Sequence, residues 1–360
     1  MARPRAWRGP WRTAALGVAL GAIVGATVAV GTGHVVDGAT NRSSTSSTSS
    51  STATTTPAPE RRQAGWIGVS ASRRGIMVDI RDLNVGGAVF RALRMRARTT
   101  LLRWHVGNID PHLWAMAPAD AGPRIDWANE GPPGVVAAFN GAFKQGALAG
   151  GAVVDGVVLT ALVRGDMTFG VDRAGHWAMG VWGAKDFPPA GFHPISYRQN
   201  LLPMVLHGAL STTATSSDWH LWGSPLNNNP LTARSGLGVD ARGNLVYVAT
   251  MHPVMPLQLG QALLAAGVVT GMELDINPFW PIAGAPALAR HGPGPFNVQL
   301  PGSEHDAAIY STGWLRDFFV ALAEPDRWSC QWQSQGVFVA VKGAQPQRLA
   351  LSPGGCARAR

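Results

Sequence analysis

Between Trp66 and Arg360 the chain alternates short apolar runs with clusters of Gly, Pro, Asn and Asp. Apolar runs of this length, bounded by turn residues, predict β-strands rather than long helices. Turn signals at Asp155-Gly156 and at Arg242-Gly243-Asn244 separate neighbouring runs. The predicted strands include Gly75–Ile80, Val135–Phe139, Gly151–Val154, Leu237–Val239 and Leu245–Thr250.

Helix signals are fewer. Leu257–Ala266 has Pro256 at its start and Gly267 after its end, the asymmetry typical of a helix. Trp314–Ala323 fits either a helix or a strand. The pattern therefore predicts one α/β domain, mixed and sheet-rich, over residues 66–360. There is no internal repeat, Walker loop, dinucleotide fingerprint or zinc-ligand spacing.

The N-terminus has a different pattern. Residues 1–12 form a basic tail, and residues 13–31 carry no charge over 19 positions, about the length that spans a bilayer. A positive flank before the apolar run favours a cytoplasmic N-terminus. We predict a single-pass anchor in the cell membrane, with the domain on the extracytoplasmic side. A cleaved signal peptide has the same layout and is the alternative.

Gly17, Gly21 and Gly25 recur at a spacing that allows close helix approach, so one interpretation of this stripe is a homodimer. The alternative is that Gly and Ala are simply frequent in this chain. Residues 32–65 read as a disordered stalk, because Ser and Thr dominate 40–59 and no apolar residue there can build a core. Outside the cytoplasm, the isolated pair Cys330 and Cys356 predicts a disulfide.

Thirty Lys and Arg against 21 Asp and Glu give a formal net charge of +9, which favours an anionic glycan or sugar phosphate as partner. Nucleic acid is excluded because no basic helix or known binding motif accompanies the charge. Arg94, Arg96 and Arg98 alternate, so a strand would present all three on one face. That face is either solvated or a guide for an anionic polymer. The 14 Trp residues fit a core, or surfaces that stack on sugars.

Several polar residues stand where chemistry is expected. His105 lies two residues before a Gly turn and close to Asp110, and it is either a site residue or a turn hydrogen bond. Asn140 ends an apolar strand, the usual position of ligand-binding residues in α/β sheets. An Asn there can bind a sugar or phosphate, or can simply form an Asn-Gly turn.

The segment Thr232–Pro281 reads as hairpin, helix and strand. On that last strand Glu273, Asp275 and Asn277 alternate with apolar residues, so they are predicted to share one face. Two carboxylates on one face repel, so we expect one raised pKa or a cation between them. Arg234 and His252 are the nearby cationic candidates, and the alternative to a functional site is that these charges form structural salt bridges. No cofactor is predicted; a divalent cation held with His252 or His207 is the alternative.

The order of these segments resembles the phosphodiester glycosidase family, the uncovering-enzyme-like domain. Over residues 70–320 the matching segments occur in the family's order. They are Phe139-Asn140-Gly141-Ala142-Phe143, Gly150–Gly156, Leu202–Gly208, Arg234–Gly243 and Leu274-Asp275. The resemblance implies an envelope-anchored hydrolase that cleaves a sugar-1-phosphodiester or a related envelope glycan.

By this resemblance Asp275 is the acid/base or nucleophile, Glu273 tunes it, Arg234 binds phosphate, and Asn140 binds sugar hydroxyls. One departure is evident. The family's run of Gly after Leu-Asp is replaced by Ile276-Asn277-Pro278-Phe279-Trp280. Pro278 has no amide hydrogen, so no phosphate-binding nest is predicted there. The alternative function is a non-catalytic module that binds anionic glycan through the Arg-rich strands.

Overall fold

The computed structural model describes residues 65–72, 74–131, 134–144, 150–285 and 296–324, and the backbone of 337–338, 341–342 and 345–346. The predicted basic tail, anchor and Gly stripe, all of the stalk except Gly65, and both cysteines lie outside the described residues. Within the described part of the chain, no helix is both long and apolar enough to span a membrane.

Antiparallel strands are the main regular secondary structure of the described domain. In chain order they are β1 Ile67–Ser72, β2 Gly75–Val85, β3 Ala88–Met95, β4 Thr100–His105, β5 Val135–Asn140, β6 Ala152–Val154, β7 Val157–Thr160, β8 Met167–Asp172, β9 Trp177–Val181, β10 Pro194–Gln199, β11 Val205–Leu206, β12 Ala209–Leu210, β13 Thr232–Asp240, β14 Leu245–Val254, β15 Val268–Ile276, β16 Ala283–Ala285, β17 Val298–Gln299, β18 Phe318–Ala323, β19 Val337–Phe338, β20 Val341–Lys342 and β21 Gln345–Pro346. The α-helices are α1 Pro256–Ala265 and the single turn α2 Ile309–Thr312, and 3-10 turns cover Trp114–Met116, Ala119–Ala121, Trp219–Trp222 and Leu226–Asn228.

The strands form three main sheets. The first sheet has the order β12-β11-β15-β13-β14-β3-β2-β1-β19, the second β17-β16-β5-β18-β4, and the third β7-β6-β10-β8-β9. The pairings among the described strands are antiparallel, and β20 and β21 form a separate hairpin. The prediction of one sheet-rich mixed domain with few helices is therefore confirmed.

The predicted strands and the predicted helix coincide with observed elements, and their boundaries differ by a few residues. The five predicted strands lie in β2, β5, β6, β13 and β14, and the predicted helix is α1. The ambiguous segment Trp314–Ala323 becomes a turn followed by β18. All six residues of β18 are buried, so its sequence carries no alternation that would have distinguished strand from helix.

The core lies where the three sheets meet. Phe139 of β5 stacks on Phe319 of β18, with ring centroids 5.4 Å apart, and packs at a tilt against Tyr247 of β14 at 5.3 Å. Phe169 of β8 meets Phe319 edge-on at 5.3 Å. Helix α1 covers the opposite face of the first sheet through Leu259 and Leu263. This packing places the ends of β5, β13 and β15 beside the loop that precedes β18.

Candidate active site

A β-bulge in β15 decides where its acidic side chains point. Gly236 of β13 pairs with Glu273, but Arg234, two residues earlier, pairs with Ile276, three residues later. The extra residue in β15 interrupts the alternation. Met272 and Leu274 lie in the central core, whereas Ile276 packs in the cluster under α1. The prediction that Glu273, Asp275 and Asn277 share a face by alternation is therefore wrong.

Asp275 lies at the wall of a cavity of about 200 Å³. Its side chain is 6 % exposed, and its Oδ2 accepts a hydrogen bond from Arg316 Nη2 at 2.9 Å. Its Oδ1 accepts the backbone N–H of Ile276 at 2.8 Å. Burial raises the pKa of Asp275 to about 7, against the opposing effect of Arg316. Desolvation rather than repulsion by Glu273 is the cause, so the expected rise occurs for a different reason.

Arg316 is the cation that contacts Asp275 in this cavity. Its Nε lies 3.0 Å from Asp110 Oδ2, and Nη2 also donates to the Ala142 carbonyl at 3.0 Å. The guanidinium stands 4.8 Å from the centre of the Trp280 ring. These contacts hold Arg316 on three sides. Nη1 makes no hydrogen bond within the described residues, so this terminus can donate to an anionic ligand.

The residue after Arg316 points into a different polar cluster. Asp317 is fully buried and accepts hydrogen bonds from Arg198 Nε at 2.8 Å and Trp104 Nε1 at 3.0 Å. A Cβ on Gly141 would meet Asp317 Oδ2 at 2.2 Å. Gly141 therefore follows Asn140 because Asp317 packs directly against the backbone there.

Asn140 is buried and holds β5, β13 and β14 together. Its Nδ2 donates to Ser235 Oγ at 3.0 Å, and its Oδ1 accepts the Tyr247 hydroxyl at 2.7 Å. Ser235 Oγ in turn accepts the backbone N–H of Asp275 at 3.1 Å. Asn140 thus supports the backbone of Asp275 through Ser235. It does not line the cavity of Asp275 and Arg316.

Arg234 and Glu273 form a separate, fully buried ion pair. Arg234 Nη1 donates to Glu273 Oε1 at 2.6 Å, and its Nε and Nη2 donate to the carbonyls of Val254 and Pro230. Burial raises the pKa of Glu273 to about 7, opposed by Arg234. Every nitrogen of this guanidinium is engaged and the side chain is 0 % exposed. Arg234 therefore has no access to a phosphate in this structure.

The predicted histidines lie elsewhere. His105 is buried, with Nε2 2.8 Å from Glu130 and Nδ1 2.8 Å from the Gly122 carbonyl. Burial lowers the pKa of His105, but the Glu130 carboxylate outweighs burial and the pKa is raised. His252 and His207 are exposed, whereas the carboxylates of β15, Glu273 and Asp275, are buried. The described residues include no cluster of three His, Cys, Asp or Glu side chains able to hold a metal.

Asn277 does line the cavity, beside Lys144 and Trp280. It adopts a left-handed conformation with φ of 75°, which Asn tolerates better than most residues. Its Oδ1 accepts the Leu226 N–H at 2.9 Å and the Thr232 hydroxyl at 3.4 Å. The structure thus brings together Asp275 and Asn277 from the predicted set, and adds Arg316, Lys144 and Trp280.

The Arg-rich strand does not form the expected face. Strand β3 ends at Met95, so Arg96 and Arg98 leave the alternation. Arg94 is 2 % exposed and donates to Asp79 at 2.7 Å, and Arg96 binds the same carboxylate at 2.6 Å. Arg94 also lies 4.0 Å from the Trp66 ring. The buried Arg94 is a structural residue and offers no surface to a polymer.

Among protein-family models and curated protein sequences, none matches the chain. The chain is similar in structure to the catalytic domain of zebrafish N-acetylglucosamine-1-phosphodiester alpha-N-acetylglucosaminidase, auto-inhibited by its pro-peptide. Identity is 12 %, the TM-score is 0.43, and the match covers 72 % of this chain and 88 % of that chain. A hypothetical protein from Synechocystis matches at 12 % identity and a TM-score of 0.42, over 69 % of this chain and 62 % of that chain. Both are similarities of fold and say nothing about activity.

Proposed function

We propose that the domain is a hydrolase that cleaves a sugar-1-phosphodiester or a related envelope glycan. The observation that carries the proposal is the pairing of Asp275 with Arg316 at a cavity wall, where a carboxylate with pKa of about 7 lies beside a fixed cation. An acid or base works best when its pKa is near the working pH. The order of the segments that resemble the phosphodiester glycosidase family supports the same reaction.

In the proposed reaction the bond between the anomeric carbon and the phosphate oxygen breaks. Water adds its hydroxyl to the anomeric carbon, and the phosphate monoester leaves with the electron pair. Ordinary glycosidases use a second carboxylic acid to protonate the leaving oxygen. A phosphate monoester, with a second pKa of about 6, leaves without that proton if a cation neutralises it. Arg316 and Lys144 supply the cations, and Asp275 accepts the proton of water.

The test is turnover by the full-length protein on a panel of sugar-1-phosphodiesters. We expect Asp275→Asn to lower kcat/KM by about 10²–10⁴ with little change in Tm, because the substitution is isosteric. In the parent, kcat/KM should rise with pH up to about 7 and then level off, because the base form of Asp275 is the deprotonated one.

The matched control is Glu273→Gln, which changes another buried carboxylate with a pKa of about 7 on the other side of the strand. When kcat/KM of this variant is corrected for the folded fraction, it should lie within about twofold of the parent value, and the pH profile should be unchanged. Equal turnover by the parent and Asp275→Asn would remove Asp275 from the mechanism. No turnover by the parent on any diester of the panel would reject the proposed function.

A further inference from the structure

The segment Asn277–Trp280 forms one side of the cavity that holds Asp275 and Arg316. Asn277 and Trp280 line this cavity, and the adjacent Phe279 ring is 41 % exposed. The Phe279 and Trp280 rings meet edge to face, with centroids 6.4 Å apart and planes at 67°. In the family that the sequence resembles, this place is occupied by Gly. Here the Trp280 ring lies at the cavity wall with Asp275 and Arg316, and the exposed Phe279 ring packs against Trp280.

The Trp280 ring is held in place by its neighbours. The guanidinium of Arg316 lies over the Trp280 ring, and Trp314, which is 8 % exposed, is 6.2 Å away. His305 packs edge-on against Trp314 at 5.1 Å. A ring fixed in this way loses little conformational entropy when a ligand packs on it.

Asn277 supplies a polar group at the same wall. Its Oδ1 is occupied by the Leu226 N–H and the Thr232 hydroxyl. Its amide nitrogen Nδ2 makes no hydrogen bond within the described residues. The amide is oriented by its bonds to the protein, so Nδ2 is a fixed donor for a ligand hydroxyl.

We propose that Asn277, Phe279 and Trp280 form a subsite that binds the sugar ring of a glycosyl phosphate, next to the phosphate-binding terminus of Arg316. This inference rests on the proposed function and specifies its substrate class. A pyranose has an apolar face of C–H groups, which packs on aromatic rings, and hydroxyls at its edge, which accept from an amide. The negatively charged phosphate of the ligand would bind to Arg316 and Lys144, which line the same cavity.

The experiment compares affinities for four kinds of ligand by calorimetry on the full-length protein in detergent. The probes are glucose 1-phosphate, mannose 1-phosphate, methyl phosphate as the sugar-free anion, and octyl phosphate as an apolar anion. We expect Phe279→Leu and Trp280→Leu to weaken the binding of the hexose phosphates about tenfold, that is about 1.4 kcal/mol. Binding of methyl phosphate to Phe279→Leu should stay within about twofold, because Phe279 has no contact with Arg316.

Two further variants separate the subsite from general damage. Trp280→Phe keeps an aromatic ring and should retain most of the affinity for the hexose phosphates. Trp182→Leu removes a half-buried indole that directly follows β9 and packs on Tyr197, and this change should alter no affinity. A Phe279→Leu variant that binds hexose phosphates as tightly as the parent would overturn the subsite. So would a parent that binds octyl phosphate in a Phe279-dependent way and hexose phosphates no better than methyl phosphate.

The outcomes distinguish this subsite from the proposed reaction. Binding that depends on the sugar and on Phe279, without hydrolysis of any diester, would keep the subsite and reject the reaction. Hydrolysis of diesters with affinities that do not depend on Phe279 or Trp280 would keep the reaction and reject the subsite.

Discussion

Two buried arginines neighbour β15, and their surroundings give them different capacities. Arg234 is fully enclosed and donates to Glu273 and to two backbone carbonyls. Arg316 is 9 % exposed and lines the cavity together with Asp275. A guanidinium can bind a phosphate only through donors that the protein has not already used. We therefore propose that Arg316, and not Arg234 as the sequence had suggested, binds the phosphate.

A comparison of Arg316→Lys with Arg234→Lys tests this reassignment. We expect Arg316→Lys to lower kcat/KM about 10²-fold, because Lys keeps the charge but loses the fork that contacts Asp110, Asp275 and the ligand together. Arg234→Lys should lower Tm and leave kcat/KM of the folded protein within about twofold. Steady-state kinetics and thermal unfolding on both variants check this. The opposite assignment of the two effects would restore Arg234 to the site.

Sequence reasoning found some of the site residues and missed others for identifiable reasons. Asp275 and Asn277 could be predicted because they alternate with apolar residues, as in a strand, and because Leu274-Asp275 matches a motif of the family that the sequence resembles. Arg316 precedes the uniformly apolar β18, where nothing marks it as a site residue. One signal was present: Arg316-Asp317 is a charged pair directly before a strand buried on both sides, and such charges need buried partners.

At the scale of elements, the alternation rule failed in β15 because of the bulge. Side chains alternate only while each residue faces one partner, and at this point Leu274 and Asp275 of β15 both lie opposite Ser235 of β13. Glu273 and Asp275 consequently have different partners, Arg234 and Arg316. A bulge depends on the partner strand, so the sequence of β15 alone does not reveal it. The elements themselves were predictable because tight turns and apolar runs are local signals.

The ion pair between β13 and β15 should behave as a structural unit. Removing one partner of a buried pair leaves an uncompensated charge, so we expect Glu273→Leu and Arg234→Met each to cost about 3–5 kcal/mol. The double variant should cost less than either single variant, because no charge remains buried. Urea unfolding measures the free energies in a double-mutant cycle.

A surface pair provides the control for that cycle. Arg91 binds Asp82 at 2.8 Å, but the Asp82 side chain is 50 % exposed, so its coupling should be about 0–1 kcal/mol. If the coupling free energy of Arg234–Glu273 is no larger than that of Arg91–Asp82, the buried pair does not stabilise the fold more than a surface pair does. The interpretation of Arg234–Glu273 as a structural unit would then be wrong.

At the scale of the molecule, the sequence predicted a sheet-rich domain but not its sheet order. The pairs that build the site are distant in sequence: β5 pairs with β18, and β13 with β15. Local patterns specify strands, whereas partners follow from the packing of three sheets around shared rings such as Phe139 and Phe319. The convergence of the loop before β18 with the end of β15 is a product of that packing. This explains why Arg316 could not be placed beforehand.

The membrane topology is the prediction that concerns the whole chain. Residues 3–12 carry four Arg and no acid before the uncharged run 13–31, so we propose that the N-terminus stays in the cytoplasm and the domain lies outside. Protease added to intact cells should then release the domain by cutting within residues 32–65, because the Ser/Thr-rich sequence there predicts a stalk that proteases reach readily. Blotting with an antibody to the domain measures the release.

The matched control replaces Arg3, Arg5, Arg8 and Arg12 with Glu, which removes the positive flank and should reduce the fraction of domain released. If the protein stays full-length in intact cells and is cut only after lysis, the domain lies in the cytoplasm and the proposed topology is wrong. That result would also remove the oxidising environment on which the Cys330–Cys356 disulfide prediction depends.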